Sequence, residues 1–205
     1  MVNRVDGKKL TMVMASRNRG KIKELETLLR EISPDIEVLG LGDIGYEGDI
    51  EENGETFEEN AFIKASVPAG MGYIGIADDS GLCVDALGGA PGIYSARYSG
   101  GDAEANNDKL LLFMDPVPDD RRQARFVSVI CVVFPDGRPD IMVRGECEGM
   151  ITRERRGSGG FGYDPLFYYP PLGATFGELP AEEKNKISHR ANAMKKLAEE
   201  IKKII

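Results

Sequence analysis

Ile76–Arg97 reads IADDSGLCVDALGGAPGIYSAR, and our interpretation of the fold starts from this stretch. The short apolar run Tyr73–Ala77 predicts a buried strand, and the adjacent carboxylates Asp78 and Asp79 follow at its carboxyl end. Two neighbouring acids are costly to place there unless a positive group faces them. We therefore expect the rest of the chain to supply that positive group, or the ligand to which it belongs.

The segments before this stretch predict an α/β opening. Lys9–Ala15 and Ile36–Leu39 predict short strands, and the apolar spacing within Lys21–Ile32 predicts an amphipathic helix between them. A capping box that begins at Thr56 predicts a further helix through Val67. This order favours an α/β fold with a mixed, elongated sheet flanked by helices.

The segments after it add a helix, a hairpin and a second helix. Ala103–Met114 predicts a helix, while Ala124–Phe134 and Asp140–Gly145 predict the two strands of an antiparallel hairpin. Pro165–Tyr169 is a short apolar-aromatic run, and Ile187–Ile205 has apolar residues at helical spacing. A long hairpin within an α/β frame suggests one domain over residues 1–205, with two lobes and a central cleft as its site.

The bulk composition limits the classes of function. The chain has 205 residues, 41% hydrophobic content and a formal net charge of −8, which argues against non-specific nucleic-acid binding. The three cysteines, Cys83, Cys131 and Cys147, are odd in number and lack C-x-x-C spacing, so we interpret them as buried thiols in a reducing compartment. Met1–Lys9 does not resemble a signal peptide, and no apolar run is long enough for a membrane span, so we expect a cytoplasmic protein.

The loop SRNRGK, at Ser16–Lys21, lies between the first predicted strand and the first predicted helix. Backbone N–H groups and the positive end of the helix dipole meet there, so an anion such as phosphate would be stabilised, and Lys21 adds a full charge. The loop is not a Walker A motif, because Ala15 and Ile22 stand where that motif requires Gly and Ser or Thr. The alternative is a solvated first turn of a helix.

Asp78 and Asp79 are the strongest candidates for a metal site or a general base. Their hard oxygen ligands suit Mg²⁺, which keeps several waters and bridges to substrate phosphates. The alternative is a turn in which one carboxylate caps backbone N–H groups. Gly40–Gly54 predicts a mobile acidic loop. One of its carboxylates can join Asp79 around a cation; together with Glu55 just after the loop, the candidates are Glu47, Asp49, Glu51, Glu52 and Glu55.

Two further segments carry residues suited to a nucleotide base. Phe161 follows a basic, glycine-rich loop and can stack on a base, although a place in the core is the alternative. His189, the only histidine, stands beside Arg190 near the predicted start of the last helix. A single histidine without suitably spaced cysteines does not make a zinc site, but with Arg190 it can donate to acceptors on a purine edge. The alternative is an exposed histidine at a helix start.

Taken together, these motifs resemble the inosine triphosphate pyrophosphatase family over nearly the whole chain. Five segments carry the resemblance in the family's order: SRNRGK at Ser16–Lys21, Glu59–Asn60–Ala61 with Lys64, IADDSGLCVDALGGAPGIYSARYSG at Ile76–Gly100, GGFGYDPLF at Gly159–Phe167, and EEKNKISHRANA at Glu182–Ala193. The resemblance implies a single domain of this family, with two lobes around one nucleotide cleft.

The resemblance also implies a role for each matching residue. Asp79 would bind Mg²⁺ and act as, or position, the base for the attacking water, and Asp78 and Ser80 would support it. Lys64 would be a catalytic residue that helps to hold the triphosphate. Glu51 would be the second metal contact, with Glu47 or Glu55 as alternatives. The triphosphate would lie on the loop of Ser16, Arg17, Asn18, Arg19, Gly20 and Lys21. The base would be held by Phe161, Gly162, Tyr163, Asp164, Lys184, His189 and Arg190.

The implied activity is Mg²⁺-dependent hydrolysis of ITP, dITP and XTP to the monophosphate and pyrophosphate, by a homodimer. Donors aimed at a 6-oxo group meet an amino group in adenine, which gives a physical reason for rejecting ATP. GTP shares the 6-oxo group, so its rejection needs a contact that the sequence does not identify. The alternatives are a related house-cleaning pyrophosphatase for another modified nucleotide and a nucleotide sensor without catalysis.

Overall fold

The computed structural model describes residues 10–204, apart from the side chain of Glu24. The predictions for Met1–Lys9, including the start of the first strand at Lys9, lie outside these residues. The described chain forms two compact units. Unit 1 comprises residues 10–79, 129–143 and 194–204, and unit 2 comprises residues 80–128 and 144–193.

Seven strands and five helices make up the regular structure of the described residues. The strands are β1 Leu10–Met14, β2 Ile36–Gly40, β3 Ile74–Val84, β4 Gln123–Val133, β5 Ile141–Ile151, β6 Phe167–Tyr169 and β7 Ala174–Thr175. The helices are α1 Arg19–Ile32, α2 Phe57–Gly70, α3 Ala103–Met114, α4 Ala181–Ile187 and α5 His189–Lys202. The strand order in the sheet is β2-β1-β3-β4-β5-β6-β7.

Unit 1 is built on a parallel ladder. β1 pairs in parallel with β2 and with β3, and the register places Met14 beside Gly40 on one side and beside Ile76 on the other. Helix α1 packs on β2 and helix α2 packs on β1. The apolar stripe predicted for α1 is buried at Ile22, Leu25 and Leu29. The predicted α/β opening is therefore confirmed.

Strand β3 is longer than the sequence predicts. The parallel ladder with β1 ends at Ile76, where the apolar run ends. The prediction that the strand itself ends before Asp78 is wrong, because β3 continues through both aspartates to Val84. Its other neighbour in the sheet is β4, an eleven-residue strand, so pairing on that side carries β3 beyond the point at which β1 stops.

The antiparallel part of the sheet comprises β4 to β7; residues 129–143, with the end of β4 and the start of β5, belong to unit 1, and the rest belongs to unit 2. The Ile151 N–H donates to the Arg122 carbonyl at 2.9 Å, so the end of β5 lies beside the start of β4, as in the predicted hairpin. β5 runs to Ile151 and is longer than the predicted return strand. β6 pairs antiparallel with β5 and with β7. Three phenylalanines pack together in the core of this unit: Phe126, Phe167 and Phe176.

Several helix boundaries differ from the predictions, and α1 begins at Arg19 rather than Lys21. α2 continues past Pro68 to Gly70, because the fixed φ of proline is itself helical and only one late hydrogen bond is lost. The last helix begins at His189 rather than Ile187 and ends at Lys202 rather than Ile205. It is separated from α4, which the sequence did not predict, by Ser188, whose backbone is extended and whose hydroxyl accepts from the Ala191 N–H at 3.2 Å. This serine starts α5 as a helix cap. His189 therefore is the first residue of α5, as its predicted position near a helix start requires.

The thiols agree with the interpretation of the cysteines as buried residues. Cys131 and Cys147 are buried, Cys83 is half-buried, and all three are free. Burial raises the pKa of Cys131 to about 12 and that of Cys147 to about 11, so both remain protonated at neutral pH. In residues 10–204, no helix combines the length and the apolar character that a membrane span requires.

Candidate active site

The loop between β1 and α1 forms the N-terminus of a well-capped helix. The Asn18 Oδ1 accepts from the N–H groups of Gly20 and Lys21, at 2.9 and 3.2 Å, and the Ser16 hydroxyl accepts from the Asn18 N–H at 3.1 Å. These bonds fix the first turn of α1 and orient its dipole toward the loop. The absence of a side chain at Gly20 leaves room for this cap, because a Cβ there would lie only 3.2 Å from the Asn18 Oδ1.

Lys21 and Asp78 form the first lysine–aspartate pair. The Lys21 Nζ donates to both carboxylate oxygens of Asp78, at 3.0 and 2.8 Å. The Asp78 side chain is buried and the Lys21 side chain is half-buried, so the pair is partly shielded from solvent screening. The pair links the phosphate-binding loop predicted from the sequence to β3.

Lys64 and Asp79 form the second pair, at the next position of β3. The Lys64 Nζ lies 2.8 Å from the Asp79 Oδ1 and 3.1 Å from the Glu52 Oε2. Burial raises the pKa of Asp79, and the attraction of Lys64 only partly opposes this. Burial lowers the pKa of Lys64, but Asp79 and Glu52 outweigh it, so the net pKa is raised. Lys64 is thus held as a cation between two carboxylates.

Asn60 supports this cluster and has no role in the sequence predictions. It is buried, its Oδ1 accepts from the Gly54 N–H at 2.9 Å, and its Nδ2 lies 3.5 Å from the Asp79 Oδ2. Asn60 precedes Lys64 by four residues in α2, and residues at that spacing share one face of a helix. The spacing is the sequence signal that would identify Asn60.

The acidic loop presents a different carboxylate from the one favoured by the sequence. Glu51 and Glu52 are both exposed, and the Glu52 carboxylate reaches Lys64. Glu51 stays a prediction, and Glu52 becomes the better-placed second carboxylate. Among the described residues, no three acidic, histidine or cysteine side chains form a ready metal cage. Two carboxylates nevertheless fit Mg²⁺, which takes few protein ligands and completes its shell with phosphate and water oxygens. Asp79 and Glu52 would hold it.

Arg17 and Arg19, predicted to bind the triphosphate, instead contact the acidic loop in this structure. Arg19 donates to both carboxylate oxygens of Asp43, at 2.9 and 3.0 Å. The Arg17 Nη2 donates to the Gly48 carbonyl at 2.6 Å. The sequence places these cations beside a helix N-terminus, but their partners come from a segment more than twenty residues later in the chain.

Unit 2 holds the second group of predicted site residues. The Lys184 Nζ bonds to the Asp164 Oδ2 and lies 4.3 Å from the centre of the Phe161 ring. The same carboxylate oxygen accepts from the Phe161 N–H at 2.7 Å. Phe161 itself is 70% exposed, so its ring is available to a planar ligand. The alternative place for Phe161, in the core, is therefore wrong.

The neighbouring predicted residues support this loop. Tyr163 is buried, and its hydroxyl donates to the Ser95 carbonyl at 2.8 Å, so it anchors the loop within the core. The Gly162 carbonyl accepts from the Asn107 Nδ2 at 2.9 Å. Ser80 is half-buried in β3, next to Asp79 in sequence. These contacts give Tyr163 and Gly162 structural roles in holding the segment that carries Phe161.

His189 and Arg190 begin α5, and both are half-buried. The His189 ring stacks on Phe126 with its centre 4.8 Å away and an interplanar angle of 17°. Gly145 lies under this helix start, because a Cβ there would be 2.3 Å from the His189 carbonyl oxygen. The close approach of β5 to α5 and the stacking on Phe126 fix the position of the imidazole.

The fold is that of an α/β protein, with a helix N-terminus and two lysine–aspartate pairs in unit 1 and an exposed aromatic ring beside a buried lysine in unit 2. The comparison with known families agrees. The chain belongs to the Ham1 family, whose family model matches residues 12–200. The family resemblance seen in the motifs is confirmed.

Two curated relatives carry the name dITP/XTP pyrophosphatase. The protein from Bacillus cereus is 47% identical over 194 residues, covering 93% of this chain and 94% of the relative. The protein from Desulforamulus reducens is 49% identical over 193 residues, covering 93% and 94%. Among solved structures, the Staphylococcus aureus Ham1 protein superposes with a TM-score of 0.88 at 42% identity, covering 95% of this chain and all of that one.

Proposed function

We propose that this chain is a nucleoside triphosphate pyrophosphatase that hydrolyses dITP, ITP and XTP to the monophosphate and pyrophosphate. The observation that carries the proposal is the pair of adjacent aspartates on β3, each bonded to a different lysine. The relatives that carry the name dITP/XTP pyrophosphatase support this class of substrate. The combination of anion-binding loop, lysines and a buried carboxylate suits water attack on a phosphoryl group.

The phosphate part of the reaction is assigned to the site in unit 1. The positive end of the α1 dipole and the charge of Lys21 attract the phosphate groups, and Lys64 neutralises further negative charge. Mg²⁺, held by Asp79 and Glu52, supplies charge neutralisation at the phosphate oxygens when it is bound. Arg17 and Arg19, which the family resemblance assigns to the triphosphate, instead contact the acidic loop.

Asp79 is the base in this proposal. It accepts a proton from the water that attacks the α-phosphorus, and a carboxylate whose pKa is raised by burial is a stronger base. The new bond joins the water oxygen to the α-phosphorus. The bond from that phosphorus to the oxygen bridging to the β-phosphorus breaks, and pyrophosphate leaves with the electron pair. Asn60, near the other Asp79 oxygen, keeps the carboxylate oriented.

Recognition of the nucleotide's purine base is assigned to the site in unit 2. The exposed Phe161 ring stacks on the purine, and Asp164 holds Lys184 beneath that ring. Lys184, His189 and Arg190 donate to the 6-oxo edge. Adenine presents an amino group at this edge, so donors of the protein would face a donor of the base and neither would have an acceptor. We therefore expect kcat/KM for ATP to be lower than that for ITP by a factor of about a hundred or more.

The test is a substrate panel with Mg²⁺ and ITP, XTP, dITP, GTP and ATP, with products resolved by ion-exchange chromatography. We expect monophosphate and pyrophosphate in equal amounts from ITP, dITP and XTP, and little from ATP. Asp79→Asn should abolish turnover while the nucleotide still binds in calorimetry. Binding of ITP without any IMP in the wild-type enzyme would favour a nucleotide sensor. Turnover confined to a modified pyrimidine nucleotide would favour a related house-cleaning enzyme.

The same proposal includes a homodimer in the cytoplasm. Leu112 and Phe113 of α3 are exposed apolar side chains, 73% and 49% accessible, and an interface would cover such residues. The free buried thiols suit a reducing compartment. Sedimentation equilibrium at micromolar concentration tests the dimer, and a single species of monomer mass would contradict it.

A further inference from the structure

In the structure, the acidic loop follows β2 at residues 41–54 and begins with a short 3-10 helix, Leu41–Ile44. Hydrogen bonds connect it to the start of α1 at two places. At its beginning, the Asp43 carboxylate accepts two bonds from Arg19 and a third from the Gly40 N–H at 2.8 Å. In its middle, Arg17 donates to the Gly48 and Tyr46 carbonyls, at 2.6 and 3.4 Å. The second contact restrains the backbone itself, because the acceptors are main-chain oxygens.

The far end of the loop is tied to α2. The Gly54 N–H donates to the Asn60 Oδ1 at 2.9 Å, and the Glu55 N–H donates to the Glu59 Oε2 at 2.6 Å. Glu52 lies between these bonds and the Arg17 contact, and its carboxylate reaches Lys64 at 3.1 Å. The position of Glu52 is therefore set from both sides, by α1 through the arginines and by α2 through Asn60.

We propose that Arg17 and Arg19 are positioning residues that hold the acidic loop so that Glu52 reaches the Lys64–Asp79 pair. The inference rests on the proposed function only in giving Glu52 a part in catalysis. The hydrogen bonds of both guanidiniums are already directed to the loop, and Asp43 neutralises the charge of Arg19.

Limited proteolysis of the ligand-free protein tests the anchoring directly. A Glu-specific protease has sites at Glu47, Glu51 and Glu52, and its rate follows the population of the opened loop when opening is fast. We expect initial cleavage in this loop to rise about fivefold in Arg17→Met and more in the double variant with Arg19→Met. Arg138→Met, which removes a half-buried arginine paired with Asp136 outside this loop, is the matched control and should cleave like the wild type.

Steady-state kinetics separate positioning from phosphate binding. If the arginines act through Glu52, the Mg²⁺ concentration for half-maximal rate should rise about threefold or more, while the KM for dITP at saturating Mg²⁺ stays within twofold of the wild type. If they bind the triphosphate, KM rises at every Mg²⁺ concentration and loop cleavage is unchanged. That second pattern would overturn the inference.

A charge exchange tests the Arg19–Asp43 contact itself. Arg19→Asp combined with Asp43→Arg should recover most of the protease resistance lost in Arg19→Asp alone, because the pair is re-formed with reversed polarity. Failure of the exchange together with wild-type cleavage of Arg17→Met would show that the loop is held in another way. Proteolysis needs no turnover, so a wild-type enzyme inactive on dITP would refute the proposed function and leave the anchoring measurable.

Discussion

Replacing Lys64 by methionine gives the sharpest test of how the site is stabilised. The Lys64 ammonium lies 2.8 Å from Asp79, and their side chains are 11% and 12% exposed. Methionine keeps most of the apolar stem and removes the charge, so Asp79 loses its cationic partner. Removing one member of a buried pair costs about 3–5 kcal/mol. Glu52 is more exposed and can be solvated, so we expect about 3 kcal/mol at pH 8.

The cost of this substitution should depend on pH. Burial already raises the pKa of Asp79, and the loss of Lys64 raises it further. An acid whose folded-state pKa is raised contributes stability that is present at low pH and lost as the pH rises through that pKa. Since one pH unit changes the free energy of unfolding by at most about 1.4 kcal/mol per group, the deficit should fall to about 1 kcal/mol at pH 5.5.

Urea unfolding of wild type and Lys64→Met, followed by circular dichroism at pH 5.5, 6.5 and 8, measures this deficit. Lys203→Met is the control, because the ion pair of Lys203 with Glu200 is exposed and should matter by less than about 0.5 kcal/mol at any pH. A deficit that is equal at all three pH values would refute the reasoning, since Asp79 would then not be the group left uncompensated.

Three other substitutions test the packing and the base site. Gly75→Ala places a Cβ 1.9 Å from the Ala65 carbonyl oxygen, so the free energy of unfolding should fall by about 3 kcal/mol, and an unchanged urea midpoint would contradict the packing of α2 on β3. Arg122→Met removes a buried guanidinium that donates to four backbone carbonyls and should lower stability by about 3 kcal/mol or more, seen as a drop in Tm; a drop of under 2 °C would count against this role. Lys184→Met frees Asp164 and should lower kcat/KM for dITP about a hundredfold with KM more affected than kcat; equal loss for dITP and ATP would exclude a role in reading the base.

Much of the fold can be predicted from local sequence features. The stripe of Ile22, Leu25 and Leu29 predicts α1 because apolar residues at helical spacing have one face to bury. Thr56 predicts the start of α2, and its hydroxyl accepts from the Glu59 N–H at 3.1 Å as a cap should. Signals of this kind depend only on residues close together in the sequence, so they do not require knowledge of long-range contacts.

The end of β3 shows that local sequence features do not always predict where a strand ends. The change from apolar residues to Asp78 and Asp79 correctly marks the end of the parallel ladder with β1. It does not mark the end of the strand, because β4 continues on the other side. Whether a strand continues depends on its neighbours in the sheet, and those come from distant segments.

The sequence by itself determined the chemistry of this protein: an anion-binding helix start, adjacent aspartates, lysines to face them, and an aromatic residue with Lys184 and Asp164. Only the tertiary structure decided which group meets which. It directs Arg17 and Arg19 to the acidic loop, and it brings Glu52, not Glu51, to Lys64. Glu51 and Glu52 are chemically equivalent, and they differ only in the distance of their carboxylates from Lys64. That distance depends on the path of the acidic loop, which is fixed by contacts between segments far apart in the sequence.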